Sequence, residues 1–113
     1  MVQVEIVPSL EEEIHKHFKG RSINVLEHLK SLETSPHKGK ALGHVGGVII
    51  KELRYEGFRF YFIADAYKIR MFNQEALTDL LIRFVRMSNK KEQQSVIDEI
   101  RNILKTIGSA GFT

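Results

Sequence analysis

The chain has 113 residues, 42% of them hydrophobic and 27% charged, and it contains no cysteine. That length suits one packed domain and leaves no room for a second, and the missing cysteines exclude a disulfide-stapled scaffold, thiolate metal sites and cysteine nucleophiles. No stretch approaches the roughly 20 apolar residues of a membrane span, and the first residues read as a strand and not as a leader, so a soluble, cytoplasmic protein is expected. The net charge of +3 is unevenly distributed: residues 1–50 carry six basic and six acidic side chains, residues 51–113 eleven and eight.

In chain order, Val2, Val4 and Ile6 alternate with Gln3 and Glu5, the period of a half-buried strand ending at Pro8. Ser9 and Glu12 then have the spacing of a capping box, and Leu10, Ile14 and Phe18 form an apolar stripe on a helix that Gly20 is placed to end. Ser22 is the expected cap of a second helix carrying Ile23, Leu26, Leu29 and Leu32, stopped by Ser35-Pro36. Residues His37 to Gly47 are glycine-rich and aperiodic, which predicts a loop carrying Lys38 and Lys40.

The pattern then changes. Val48 to Tyr55 and Phe58 to Asp65 predict a β-hairpin closed by Glu56-Gly57, with Phe58, Phe60 and Phe62 on one face and Arg59 and Tyr61 on the other. Tyr67, Ile69 and Met71 repeat the alternation. Between Asn73 and Met87 the apolar residues fit both a helix and a strand. Finally, Asn89 with Glu92 predicts a cap, and Val96, Ile97, Ile100, Ile103, Leu104 and Ile107 a helical stripe. Runs of helix and strand segregated in this way argue an α+β fold with an antiparallel sheet.

The five histidines all fall in residues 1–50, and none is paired at i, i+4 as a helical zinc site requires. What remains for chemistry is basic and lies on the expected strands: Lys51, Arg54, Arg59, Arg83 and Arg86, with Lys90 and Lys91 just beyond. Arginine presents a rigid donor fork matched to phosphate oxygens, so several on one sheet face suit an RNA backbone and the charge that develops on a reacting phosphate. The same residues also read as solvated strand positions paired with Glu52, Glu56 and Asp65.

Three segments carry a family resemblance: Gly39-Lys40-Ala41-Leu42-Gly43; Lys51-Glu52-Leu53-Arg54 followed by Gly57-Phe58-Arg59-Phe60-Tyr61-Phe62; and Phe84-Val85-Arg86-Met87-Ser88-Asn89-Lys90-Lys91. In order and spacing they resemble the RelE/ParE toxin superfamily, most closely its HigB-like, phage-borne branch, over Leu10 to about Leu104. The resemblance implies one RelE-like domain over 1–113, with an N-terminal strand and two-helix hairpin packed on a curved antiparallel sheet and a C-terminal helix. It resolves the ambiguous stretch as a strand at about Leu80 to Arg86. Residues 67–79 then form an insertion, a hairpin or edge strand with a helical turn at Gln74 to Thr78.

The resemblance also implies a toxin that cuts messenger RNA on the ribosome without metal or cofactor, by attack of the RNA 2′-hydroxyl on the adjacent phosphate. By motif, Arg59 would clamp the scissile phosphate and Arg86 would be a second catalytic cation. Arg54, Lys90 and Lys91 would bind flanking phosphates, with Lys40, Lys51 and Arg83 completing the RNA-binding set. Glu52 is the candidate base or a structural partner of Arg59. Many active relatives carry Tyr or His near the start of the last helix, whereas this chain has Ser88, Asn89, Gln93 and Gln94. A cognate antitoxin is implied as protein partner, a homodimer is compatible, and no membrane is involved. A gyrase-binding toxin and a non-catalytic RNA- or protein-binding module of the same fold stay open as alternatives.

Overall fold

The computed structural model describes residues 1–72 and 79–113. Strand β1 (Val2–Ile6) leads into helix α1 (Pro8–Phe18) and, through a 3-10 turn at Lys19–Arg21, into α2 (Ser22–Lys30). Strands β2 (Lys40–Val45), β3 (Val48–Tyr55) and β4 (Phe58–Asp65) follow, then α3 (Ala66–Met71), β5 (Leu80–Ser88) and α4 (Gln93–Thr106). The five strands form one sheet in the order β1-β5-β4-β3-β2. The fold is α+β as expected, but the sheet is mixed, because β1 runs parallel to β5 while the other pairs are antiparallel. Alternation identifies a strand without giving its direction. The helix pair after β1 begins a connection long enough for parallel pairing, which needs about a dozen residues or more.

The β3–β4 hairpin has the expected bounds. Glu56 and Gly57 both take positive φ, 48° and 82°, as a two-residue turn that follows the twist of its strands requires. Phe60, Tyr61, Phe62 and Ile63 on the central strand β4 are all buried, so both faces of the sheet are covered. The α1 ring of Phe18 packs edge-on against Phe58, and close to Phe60, on one face. On the opposite face α4 buries Ile97, Ile100 and Leu104 and reaches Glu52 with Gln93. The Asn89–Glu92 pair closes the turn before α4: the Glu92 N–H donates to Asn89 Oδ1 at 3.0 Å, and Asn89 Nδ2 donates to the Glu92 carboxylate at 3.2 Å, but the helix begins at Gln93 with Glu92 in the N-cap position, so Asn89 is not its cap as expected.

Several expectations are corrected. The Ser9 capping box does not form, because Pro8 starts α1 one residue earlier and Val7 takes the N-cap position. Helix α1 ends on Lys19 at φ 49°, one residue before Gly20. Ser22 does not cap α2; its hydroxyl donates to Lys19 O at 2.6 Å, tying the second helix to the turn before it. Ile23 and Ile107, assigned to apolar stripes, are exposed, and Val25 takes the inward position on α2.

The expected loop at 37–47 contains strand β2. A register shift between Ala41 and Gly43 breaks the alternation that would have revealed it. Gly43 has φ 142°, and a β-carbon there would stand 2.5 Å from Arg101 Nη2, whose guanidinium also donates to Leu42 O at 3.1 Å. Tyr67 to Phe72 is not a strand: Asp65 accepts from the Lys68 N–H at 2.8 Å and caps α3, which buries Ile69 and leaves Tyr67 and Met71 exposed. The helical turn expected at Gln74 to Thr78 lies outside the described residues. Strand β5 is present as expected and extends to Ser88. Among the described residues no helix is long and apolar enough to cross a membrane.

Candidate functional site

Strand register builds the site. Across β3 and β4, Glu52 pairs with Tyr61 and Arg54 with Arg59; across β4 and β5, Tyr61 pairs with Arg86 and Arg59 with Ser88. Lys40 on β2 pairs with Glu52. Because strand side chains alternate, these pairs set Glu52, Arg54, Arg59, Tyr61 and Ser88 on the face that α4 covers, at the end of the sheet nearest the Glu56-Gly57 turn.

Glu52 is only 1% exposed, and both its oxygens are engaged. Arg54 Nε donates to one at 3.0 Å, and Gln93 Nε2, from the first turn of α4, donates to the other at 3.2 Å. The carboxylate therefore orients Arg54 and fastens the start of α4 to the sheet. Arg54 itself stays largely in solvent.

Arg59 is different. Only 7% of it is exposed, yet among the described residues no carboxylate lies within 4.0 Å of it. Its Nε is buried without a hydrogen-bond partner, and Nη1 reaches Gly57 O only at 3.5 Å. Buried polar groups nearly always have partners, so a guanidinium left this short of acceptors is suited to an anion brought from outside. Beside it, the hydroxyls of Tyr61 and Ser88 share a 2.7 Å hydrogen bond. Burial pushes the Tyr61 phenol above its ordinary range; the bond to Ser88 opposes that shift, Glu52 adds to it, and Arg59 and Arg54 oppose it. The phenol is thus protonated at neutral pH, and either hydroxyl can donate in the bond it shares with Ser88.

Lys90 and Lys91 are exposed on the turn between β5 and α4, and Lys40 is exposed on β2. The remaining candidates are engaged in other contacts. Lys51 alternates onto the opposite face and is buried, with Nζ 5.7 Å from the Phe62 ring centre and 3.4 Å from His37 O; burial lowers its pKa. Arg83 donates to Glu5, Ser109 O and Phe112 O, pinning the C-terminal segment.

Arg86 donates to Glu99 of α4 at 2.7 Å and to Val85 O, and lies over the Phe112 ring. It also stands near Glu13 of α1, whose carboxyl burial raises and Arg86 opposes. The structure thus gathers Glu52, Arg54 and Arg59 and ties Arg83 and Arg86 into packing contacts. It adds Tyr61, Ser88 and Gln93. Tyr61 was legible as a site residue from its parity with Arg59; Gln93 carried no signal, since only the docking of α4 brings it to Glu52.

Among the described residues no cluster of His, Asp and Glu side chains could hold a metal ion. No model of a known protein family, no curated protein and no solved structure matches the chain.

Proposed function

We propose that the protein is a RelE-like endoribonuclease toxin that cuts messenger RNA on the ribosome through attack of the RNA 2′-hydroxyl on the adjacent phosphate. The observation that carries this reading is the acceptor-poor Arg59 guanidinium beside the Tyr61–Ser88 hydroxyl pair and Arg54. A phosphodiester supplies the anionic oxygens that Arg59 lacks, and two guanidiniums offset the charge that grows on phosphorus oxygens as the fifth bond forms. As O2′ bonds to phosphorus and gives its proton to solvent, the P–O5′ bond breaks; Tyr61, held protonated by burial, passes a proton through Ser88 to the departing 5′-oxygen and is reprotonated from solvent, leaving a 2′,3′-cyclic phosphate. Glu52 acts as a positioning residue, holding Arg54 and the start of α4. Lys90, Lys91 and Lys40 bind flanking phosphates, and a cognate antitoxin would hold the toxin in check.

A second reading, an RNA-binding module that does not cut, is favoured by one observation: both Glu52 oxygens are engaged, so the cluster offers no free carboxylate base. Incubation of purified protein with translating ribosomes separates the two. Cleavage that is lost in Arg59→Ala and falls at least tenfold in the solvent-facing Arg54→Ala supports the endoribonuclease. Folded protein that neither cleaves nor arrests growth, with both variants indistinguishable from the parent, refutes it.

A further inference from the structure

Strand β1 lies at one edge of the sheet, with no strand paired to its outer side. Two ladder bonds show which of its groups face β5: Leu80 N–H donates to Met1 O at 2.9 Å, and Val7 N–H donates to Phe84 O at 3.0 Å. In a parallel pair every second residue of a strand bonds to its neighbour. Met1, Gln3, Glu5 and Val7 therefore turn toward β5. Val2, Val4 and Ile6 point their N–H and C=O groups outward, where no described residue hydrogen-bonds to them, although Val4 is only 3% exposed because side chains of the groove lie over it.

The two edges of the sheet differ. On β2, Lys40, the register shift at Ala41/Gly43 and the Arg101 guanidinium on Leu42 O all obstruct a further strand. The run Val2–Ile6 contains no lysine, no proline and no bulge. A groove along this edge is lined by Val4, Ile6, Leu26, Glu5, Glu11 and Lys30.

We propose that the β1 edge pairs with the same edge of a second copy of this chain, antiparallel about a two-fold axis through Val4. The sequence is complementary to itself in that register. Val4 meets Val4 and Val2 meets Ile6, so every unpaired outward backbone group faces another once the flexible Lys30 side chain swings off Val4, and the apolar side chains continue the layer beneath α1 and α2. On the other face Gln3 meets Glu5, an amide donor against a carboxylate. In-register parallel pairing would instead oppose Glu5 to Glu5.

Glu11, whose N–H donates to Val7 O, stands at the Ile6 end, while the segment after Lys30 brings Glu33 and Thr34 beside Met1 and Val2. The two-fold axis thus sets Glu11 of one copy toward both Lys30 and Glu33 of the other, an attraction and a repulsion that offset each other. The pairing leaves the Arg59 cluster uncovered by the added strand, because β1 borders β5 only from Leu80 to Phe84.

Sedimentation equilibrium of the untagged full chain from micromolar to millimolar concentration tests this, the expected mass rising from 13.0 kDa toward twice that value. Gln3 is exposed, so its variants leave the core intact. Gln3→Glu sets like charges opposite each other at both symmetric pairs and raises the dimer Kd about tenfold at low salt, whereas Gln3→Lys lowers it about tenfold. Amide exchange at Val4 slows as concentration rises. The proposal fails if the chain stays monomeric throughout, if both variants move the dimer Kd in the same direction or not at all, or if Val4 exchange ignores concentration. A monomer whose β1 edge pairs only with a strand from a different protein also overturns it. None of these results depends on ribonuclease activity.

Discussion

The hydroxyl pair at the centre of the site permits a test in which the two single losses do not add. Tyr61 is fully buried and Ser88 nearly so, and their shared bond is 2.7 Å long. Ser88→Ala leaves the phenol buried without its hydrogen-bond partner, a loss of about 1–3 kcal/mol. Tyr61→Phe removes the other partner and costs about 1 kcal/mol, since the Ser88 hydroxyl lies nearer solvent. Removing both deletes the same bond only once, so the double variant falls short of the sum by about 1 kcal/mol. Urea unfolding of the four proteins measures the coupling; in thermal melts each kcal/mol appears as a shift of about 4 °C. Additivity within about 0.3 kcal/mol would refute the pairing and the proton path drawn through it. The same phenol imposes a pH dependence. With its folded pKa raised, the unfolded chain ionises first, so stability is full below the ordinary tyrosine pKa of about 10 and is lost as pH rises through the folded value. Tyr61→Phe removes that alkaline loss.

Three further outcomes are expected. Lys51 is a buried cation with a lowered pKa, so its unfolded form binds more protons, and stability rises with pH between the folded value and about 10.4; Lys51→Met abolishes that rise and lifts the neutral-pH melting temperature by a few degrees, read by calorimetry. Gly43→Ala forces a β-carbon against the Arg101 guanidinium at a strained φ and costs about 1–3 kcal/mol in urea unfolding, with Arg101→Ala restoring only the part due to the clash. Replacing Lys90 and Lys91 together by alanine lowers the salt-dependence slope of single-stranded RNA binding by about 1.4, measured by fluorescence anisotropy; an unchanged slope would remove both from the interface.

Much of the architecture is legible in local pattern. The β3–β4 hairpin follows from alternation on either side of Glu56-Gly57, the turn into α4 from Asn89 and Glu92, and the α1 stripe from residues four apart. Where pattern misled, a contact that alternation does not record explains it. The register shift near Gly43 hides β2, and the shift forms only because β3 supplies a partner strand. Tyr67, Ile69 and Met71 alternate as a strand would, but the Asp65 cap and the burial of Ile69 alone select a helix. Period and capping are properties of neighbours in sequence, whereas pairing direction and register arise between segments far apart.

The same division runs through the site. From the sequence alone come a cysteine-free chain, a basic excess confined to residues 51–113, and the shared face of Arg59 and Tyr61, since a strand's period of two requires only the residues themselves. Which cations remain available is decided by tertiary structure. Lys51 and Glu52 are adjacent in sequence, yet one is buried against Phe62 and the other beneath α4. Arg86 meets Glu99 of α4, and Arg83 holds the C-terminal segment, while Arg59 is buried short of acceptors. A charge acts on what stands opposite it, and for these side chains the opposite group belongs to a distant element of the fold.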